Sequence, residues 1–408
     1  MARNRIGIWF IGAKGGVAST AIVGLLALKK GLTQTTALVS ALPQFASLDL
    51  IDWKDLVIGG HEIRELKSYE EAMRMCTESR AIEGELISKL KSELDKLDKV
   101  IRPGTVANVG ATIEGLASPA VKAMSKETPR ETIARVQSDL KKFAEENKLA
   151  HVIVINVAST EPPVDPTQYP TKWSELDKLI DKPKKCTLPA SSLYAIATLD
   201  LGYSHLNFTP SLGTNLPAID ELARERGSRH MGYDGKTGET LLKSTLAPMF
   251  ARRNLNVMSW VGHNIFGNMD GKVLDDPTNK KAKVTSKDRL LGKILGYAPQ
   301  TLVSIEYIAS MGDWKTAWDH IHFKGFLGTP MTFQFIWQGC DSLLAAPLVI
   351  DLVRFTERAW RNGDTGILTF LSSFFKSPMG SDEHDFTVAF QLLEKWAKDV
   401  EGKTAAKS

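Results

Sequence analysis

The sequence predicts an α/β protein: a doubly wound parallel sheet with an inserted α+β mixed sheet. Three observations predict it. Close to the N-terminus an apolar run, a glycine-rich turn, a helical pattern and a second apolar run follow one another, the first half of a Rossmann-type mononucleotide unit. Beyond residue 250 the texture changes to short, partly alternating strand-like segments. Helical periodicity then returns, as though the chain left one sheet, built another and came back. At 408 residues the chain exceeds a single ordinary core. We therefore expect a discontinuous dinucleotide-binding domain over 1–240 and 342–408, with an inserted catalytic and oligomerisation domain over 241–341.

The segment from Arg5 to Ile11 is almost continuously apolar, as expected of a parallel strand covered on both faces. "TAIVGLLALKKGL" reads as a helix with lysines in its last turn and Gly31 just beyond. "TALVSAL" reads as the second strand, ending at Ser40. Residues 62–148 are mostly helical by pattern, and "TPRETIARVQSDLKKFAEENK" carries its own start signal: Thr128 as N-cap, Pro129 at the first position, Glu131 closing a capping box. "HVIVINVAST" is a buried strand, and "SLYAIATLDLG" reads as another. In the insert, "NVMSWVGHNIFGN", "TLVSIEYIAS", "WDHIHFKGF" and "MTFQFIWQG" read as strands, and "DSLLAAPLVIDLVRFTERAWRN" as a long helix. The terminal "EGKTAAKS" reads as a frayed tail.

Composition narrows the function. The net charge of +4 suits an anionic small molecule and lacks the clustered basic face that nucleic acid requires. No stretch reaches the roughly 18 apolar residues of a membrane helix, so no membrane partner is expected. Cys76, Cys186 and Cys340 are odd in number and far apart, which argues against a disulfide framework or a cysteine zinc site and for a reducing, cytoplasmic setting.

The loop "IGAKGGVAST" fails two phosphate-binding patterns. GxxxxGK[ST] is missing, and Ser19 stands where a partitioning-type ATPase loop has its second lysine, which argues against a nucleotide hydrolase. GxGxxG fails too, since Lys14 and Val17 occupy glycine positions. A glycine turn from strand to helix still aims backbone amides at a pyrophosphate. Gly12, Ala13, Lys14, Gly15, Gly16 and Val17 are therefore cofactor candidates, with Ser40 at the expected end of the second strand and Asn156, Ala158, Ser159 and Thr160 after "HVIVIN". An acidic residue ending the second strand, which would hold an adenosine ribose, is not seen. A purely structural turn is the competing reading.

"NFTPSLGTNLPAI", "GYDGKTGETLLKSTLAPMFARRNL", "HNIFGNMDGKVL", "KVTSKDRLL", "HFKGFLG", "CDSLLAAPLVIDL" and "FFKSPM" occur in one order. Together they resemble the myo-inositol-1-phosphate synthase family, in its shorter archaeal and bacterial form. The resemblance implies NAD as cofactor, D-glucose 6-phosphate as substrate, a homotetramer, and a redox-neutral cyclisation through oxidation at C5, enolisation, an intramolecular aldol step and re-reduction. By matching motif it implies four catalytic lysines, Lys283, Lys287, Lys324 and Lys376. Lys283 is assigned proton transfer at the C5 oxygen, Lys287 the phosphate, and Lys324 and Lys376 the developing oxyanions. Asp234 and Asp341 match carboxylates beside the nicotinamide, and Thr237, Gly238, Glu239, Asn268 and Asp270 match substrate positions. His61 stands where many members have tryptophan. A divalent or monovalent cation at the phosphate is compatible with the resemblance. His320 and His322 alternate on one strand face, but no third ligand accompanies them, so no protein-held metal is expected. The alternatives are an NAD enzyme acting on another sugar phosphate and a non-catalytic dinucleotide sensor.

Overall fold

The computed structural model describes residues 5–268 and 290–405. Its larger sheet has seven strands: β1 (Ile6–Ile11), β2 (Leu56–Glu62), β3 (Ile101–Pro103), β4 (His151–Asn156), β5 (Ser204–Asn207), β6 (Arg229–Gly232) and, after the insert, β11 (Gly366–Ile367). Their spatial order is β11-β6-β5-β4-β1-β2-β3, all parallel. The chain winds outward from β1 in one direction and from β4 in the other. The crevice between them is the switch point where such sheets bind ligands.

Every residue of β1 is buried, and alternation explains why its apolar run is unbroken. Ile6, Ile8 and Phe10 join a core with Ala21 and Ile22 of α1 (Gly16–Lys29). Trp9 and Ile11 join a second core with Leu140 and Phe143 of α3 (Pro129–Asn147), α2 being Ser68–Thr77. Each fully buried aliphatic or aromatic side chain contributes about 1.5–3 kcal/mol. The start of α3 carries the expected capping box between Thr128 and Glu131.

Two readings of the first sheet are corrected. "TALVSAL" forms no strand: Ala37 has φ +70 and Val39–Ala41 is one turn of 3-10 helix. The second strand is "LVIGGHE", paired with β1 from Ile6↔Leu56 to Ile11↔His61. "SLYAIATLDLG" is helical, as α4 (Ala190–Asp200). The helix is buried all round, which erases helical periodicity and leaves an apolar run with the pattern of a strand.

After α5 (Pro217–Glu225) and α6 (Gly238–Arg252) comes the four-stranded sheet, β7 (Asn256–Phe266), β8 (Gln300–Tyr307), β9 (Trp314–Lys324) and β10 (Pro330–Cys340), in the order β10-β9-β7-β8. β7 and β8 run parallel and the other pairs antiparallel. α7 (Asp341–Asn362) then returns to pack on α1, and α8 (Phe386–Ala405) carries helix into the expected frayed tail. Among the described residues no helix is long and apolar enough to cross a membrane.

Candidate active site

A cavity of about 650 Å³ opens at the carboxyl ends of β1 and β4 and reaches the near ends of β7, β8 and β9. Its floor is the glycine turn. The N–H groups of Gly12 and Ala13 both donate to the His61 carbonyl at 3.0 Å, and Gly15 N–H donates to Gly12 O at 3.0 Å. Gly12 has φ +80, and a Cβ there would stand 2.8 Å from Ala158 Cα. α1 begins with Gly15 as N-cap and no side-chain cap, so its first amides face the cavity unclaimed, as an anion site requires. A Cβ on Gly16 would lie 2.7 Å from Ser342 Oγ at the start of α7. The turn is therefore a cradle that side chains would fill, and it fits a pyrophosphate.

Lys14 takes no part in lining it. Its ammonium pairs with Asp98 at 2.9 Å and reaches the Leu66 carbonyl, while its N–H donates to Glu62 Oε2 at 2.8 Å. Glu62, the last residue of β2, is the acidic residue that a second strand ending at Ser40 does not supply. Its Oε1 accepts from the N–H groups of Ile63 and Arg64 at 2.9 and 3.0 Å, and it lines the cavity where a ribose would lie. Ser40 is corrected: it lies outside the cavity, its N–H donating to Asp351 Oδ1 at 2.9 Å and its Oγ accepting from Arg354 at 2.7 Å. His61 receives the Trp9 indole N–H on Nδ1 at 2.8 Å, so its Nε2 carries the proton donated to Asp139 at 3.0 Å. Burial lowers its pKa.

Gly12, Gly15, Gly16 and Val17 line one side of the cavity, with Asn156, Ala158, Ser159 and Thr160 beside them. Ala13 packs behind, buried. Asp234, Thr237, Glu239, Asn268, Asp341 and Lys376 line the far end. Gly238 lies in the same turn, against Trp337. Asp234 holds the left-handed φ of +61, a conformation that non-glycine residues adopt at local expense. Its carboxylate accepts from Lys376 Nζ at 2.9 Å, and its carbonyl accepts from Lys376 N–H at 2.7 Å. Glu239 meets Lys243 at 2.5 Å, both buried. The Asn264 amide is buried on β7, with neither side-chain atom partnered among the described residues.

Lys324 is corrected. It is exposed at the distal end of β9, in register with Asn256 and Pro330, and is not among the cavity's lining residues. The lysine that β9 contributes is Lys315 at its other end, 4.0 Å from Asp341 Oδ2 and 5.0 Å above the Phe266 ring. The motif "GDWK" carried it, one strand length before the lysine chosen from "HFKGF". Lys283, Lys287 and Asp270 lie outside the described residues. His320 and His322 share the outer face of β9 with Trp318, whose ring stacks on His263 at 5.5 Å. Among the described residues no three His, Cys, Asp or Glu side chains are grouped to hold a metal.

An open helix start at the switch point, an acid at the end of β2 and two lysine–carboxylate pairs opposite define a dinucleotide-binding α/β enzyme. The family model for myo-inositol-1-phosphate synthase matches residues 39–398. Inositol-3-phosphate synthase 1 of Bacteroides thetaiotaomicron is 31% identical, over 98% of this chain and 97% of its own. The yeast (Saccharomyces cerevisiae) inositol-3-phosphate synthase is 27% identical, over 92% and 80%. The crystal structure of the Caenorhabditis elegans inositol-3-phosphate synthase shares the fold, with a TM-score of 0.86 at 24% identity over 98% and 86%. A myo-inositol-1-phosphate synthase-related protein from Thermotoga maritima has a TM-score of 0.78 at 25% identity over 97% and 98%. The chain belongs to the myo-inositol-1-phosphate synthase family, a family of isomerases whose cofactor is NAD.

Proposed function

We propose that the protein cyclises D-glucose 6-phosphate to 1L-myo-inositol 1-phosphate. The observation that carries this reading is the meeting of the glycine cradle with Lys376, Lys315 and their carboxylate partners in one cavity. NAD would supply the acceptor and donor of one hydride at C5, which leaves the reaction redox-neutral overall. Gly12, Gly15 and Gly16 would hold its pyrophosphate and Glu62 its ribose. Lys376 and Lys315 place ammonium groups where the enolate and aldol oxygens gain charge, an electrostatic role for cations in a water-poor cleft. Asp234 and Asp341 orient them. α6 begins at Gly238 with no side-chain cap on Thr237, so its first amides can receive the phosphate. Lys283 and Lys287 keep the roles their motif assigns, proton transfer at the C5 oxygen and phosphate binding, and a cation at the phosphate is an optional component.

We also read residues 1–240 with 342–408 as the cofactor domain, 241–341 as its insert, and the assembly as a cytoplasmic homotetramer. The outer face of the smaller sheet supports assembly: Ile265, Leu302, Trp318 and Ile336 are exposed there at 37–71%, a face that another sheet would cover. The test is incubation with NAD and D-glucose 6-phosphate, followed by NMR of the product and the mass in sedimentation. An inositol phosphate formed without net NADH by a tetramer is expected. Net NADH with no inositol phosphate would favour a dehydrogenase acting on another sugar phosphate.

A further inference from the structure

Glu161 is a buried carboxyl on the cavity wall that the proposed chemistry does not use. It is 7% exposed and lies in the loop that follows β4, on the cavity lining. Ser191, in the first turn of α4, donates its backbone N–H to Glu161 Oε1 at 2.8 Å and its hydroxyl to Oε2. Glu161 N–H donates to Ser211 Oγ at 3.0 Å. Ser191 Oγ accepts in turn from Gly213 N–H at 3.1 Å, and Ser192 Oγ donates to Gly213 O at 2.9 Å. One side chain thus joins the loop after β4, the start of α4 and the loop after β5. All three present cavity residues, Ser159 and Thr160 on the first, Ala190 and Ser191 on the second, Thr209 and Pro210 on the third.

We propose that Glu161 is a positioning residue for NAD: its ionised carboxylate draws the 157–161 loop onto α4 in the arrangement that receives the cofactor, so that NAD binding releases a proton from this side chain. The inference rests on the reading that this cavity holds NAD. The donors around the carboxyl argue for it. A carboxylate accepts from an amide at a helix N-terminus and from hydroxyls, whereas a protonated acid must donate and would turn one of those hydroxyls away. Burial opposes ionisation and pushes the group up to about 7, so both forms are populated near neutrality.

The groups that face this region are Tyr194 on α4, whose phenol burial keeps protonated, Asn156 on β4, and the hydroxyls of Thr209 and Ser211. Across the cavity, His61 is kept neutral by burial, Glu62 is joined to Arg64, and Asp234 to Lys376.

The experiment is calorimetric titration of NAD into the full chain between pH 6 and 8, in buffers of different ionisation enthalpy. If only the ionised form is competent, its share rises from about a tenth to about nine tenths over that range, and NAD affinity rises about tenfold. About half a proton is released at neutral pH. Glu161→Gln is expected to bind NAD weakly, with no pH dependence and no proton release. Ser191→Ala, which removes one donor to the ionised form, is expected to move the midpoint to higher pH; it tests the proposal even where Glu161→Gln fails to fold. A Glu161→Gln protein with the pH dependence of the wild type, or a Ser191→Ala midpoint that does not move, would overturn the inference while leaving the function standing. In Ser191→Ala, NAD binding weakened by one factor at every pH with the midpoint unmoved would show a merely structural role and overturn it too. Wild-type protein that binds no NAD at any pH would overturn the functional reading and this inference together.

Discussion

Lys315 and Lys324 stand at opposite ends of an 11-residue strand, about 30 Å apart at the rise of an extended chain. Only one of them shares a cavity with Asp234 and Lys376. The resemblance implies Lys324 through "HFKGF", and a motif match does not say which end of a strand faces the cleft. The register does: Lys315 pairs with Phe266 at the cavity, and Lys324 with Asn256 away from it. Replacing Lys315 by methionine keeps the aliphatic stem over Phe266 and removes the charge. We expect kcat to fall about 10²–10³-fold, the scale of losing one oxyanion donor, with NAD affinity little changed. Lys324→Met is expected to retain wild-type kcat. Steady-state kinetics on the two variants checks this, and the reverse ranking would refute the assignment. Lys376, Asp234 and Asp341 stand in motifs that carry the resemblance, and all three line the cavity. Glu62 was not legible, because its strand was misplaced.

The elements that sequence patterning found are those whose local signals agree with their burial. β1 is an unbroken apolar run closed by a glycine turn, and α1, α3 and α7 each carry a cap, a glycine or a charged end. β2 was missed because "LVIGGHE" contains two glycines, a histidine and a glutamate, all poor strand formers. The glycines are there for packing, since a Cβ on Gly59 would lie 2.7 Å from Trp9 and one on Gly60 2.5 Å from the Phe10 carbonyl. The glycine turn makes the same argument testable. In Gly12→Ala the new methyl meets Ala158 at 2.8 Å with φ at +80, so the turn must move. We expect at least tenfold weaker NAD binding and a stability loss of about 1–3 kcal/mol. Gly31→Ala has φ +65 but nothing among the described residues within 4 Å; it should lose only about 1–2 kcal/mol and bind NAD normally. Urea unfolding and NAD titration separate the two, and equal NAD affinities would remove the turn from the site.

At the scale of the whole molecule, three buried histidines set how the fold responds to acid. Burial holds His151 and His205 down to about 3 and lowers His61 as well. Neither ring nitrogen of His205 has a partner among the described residues, and His230 lies beside it across β5 and β6. In the unfolded chain each takes up a proton near pH 6.5. The unfolded state therefore binds more protons below that pH, and the stability these groups contribute is present above 6.5 and lost as pH falls. Glu161 and Asp351 oppose them. Their buried carboxyls are pushed up to about 7 and about 6, so their contribution is present below the unfolded carboxylate range, near 4, and lost as pH rises through 6 to 7. Between about pH 4.5 and 6.5 the two sets partly cancel. Below that range the histidines act unopposed, at about 1.4 kcal/mol per pH unit for each. We expect unfolding free energy to change little from pH 6 to 8 and to collapse below about 4.5. His205→Phe keeps the ring volume and removes two unpaired nitrogens, so it should be neutral or stabilising at pH 7 and should flatten the acid limb by about one proton. Urea denaturation at several pH values reads both quantities, and an acid limb of undiminished slope in that variant would show that this histidine is not among the groups that unfold the protein.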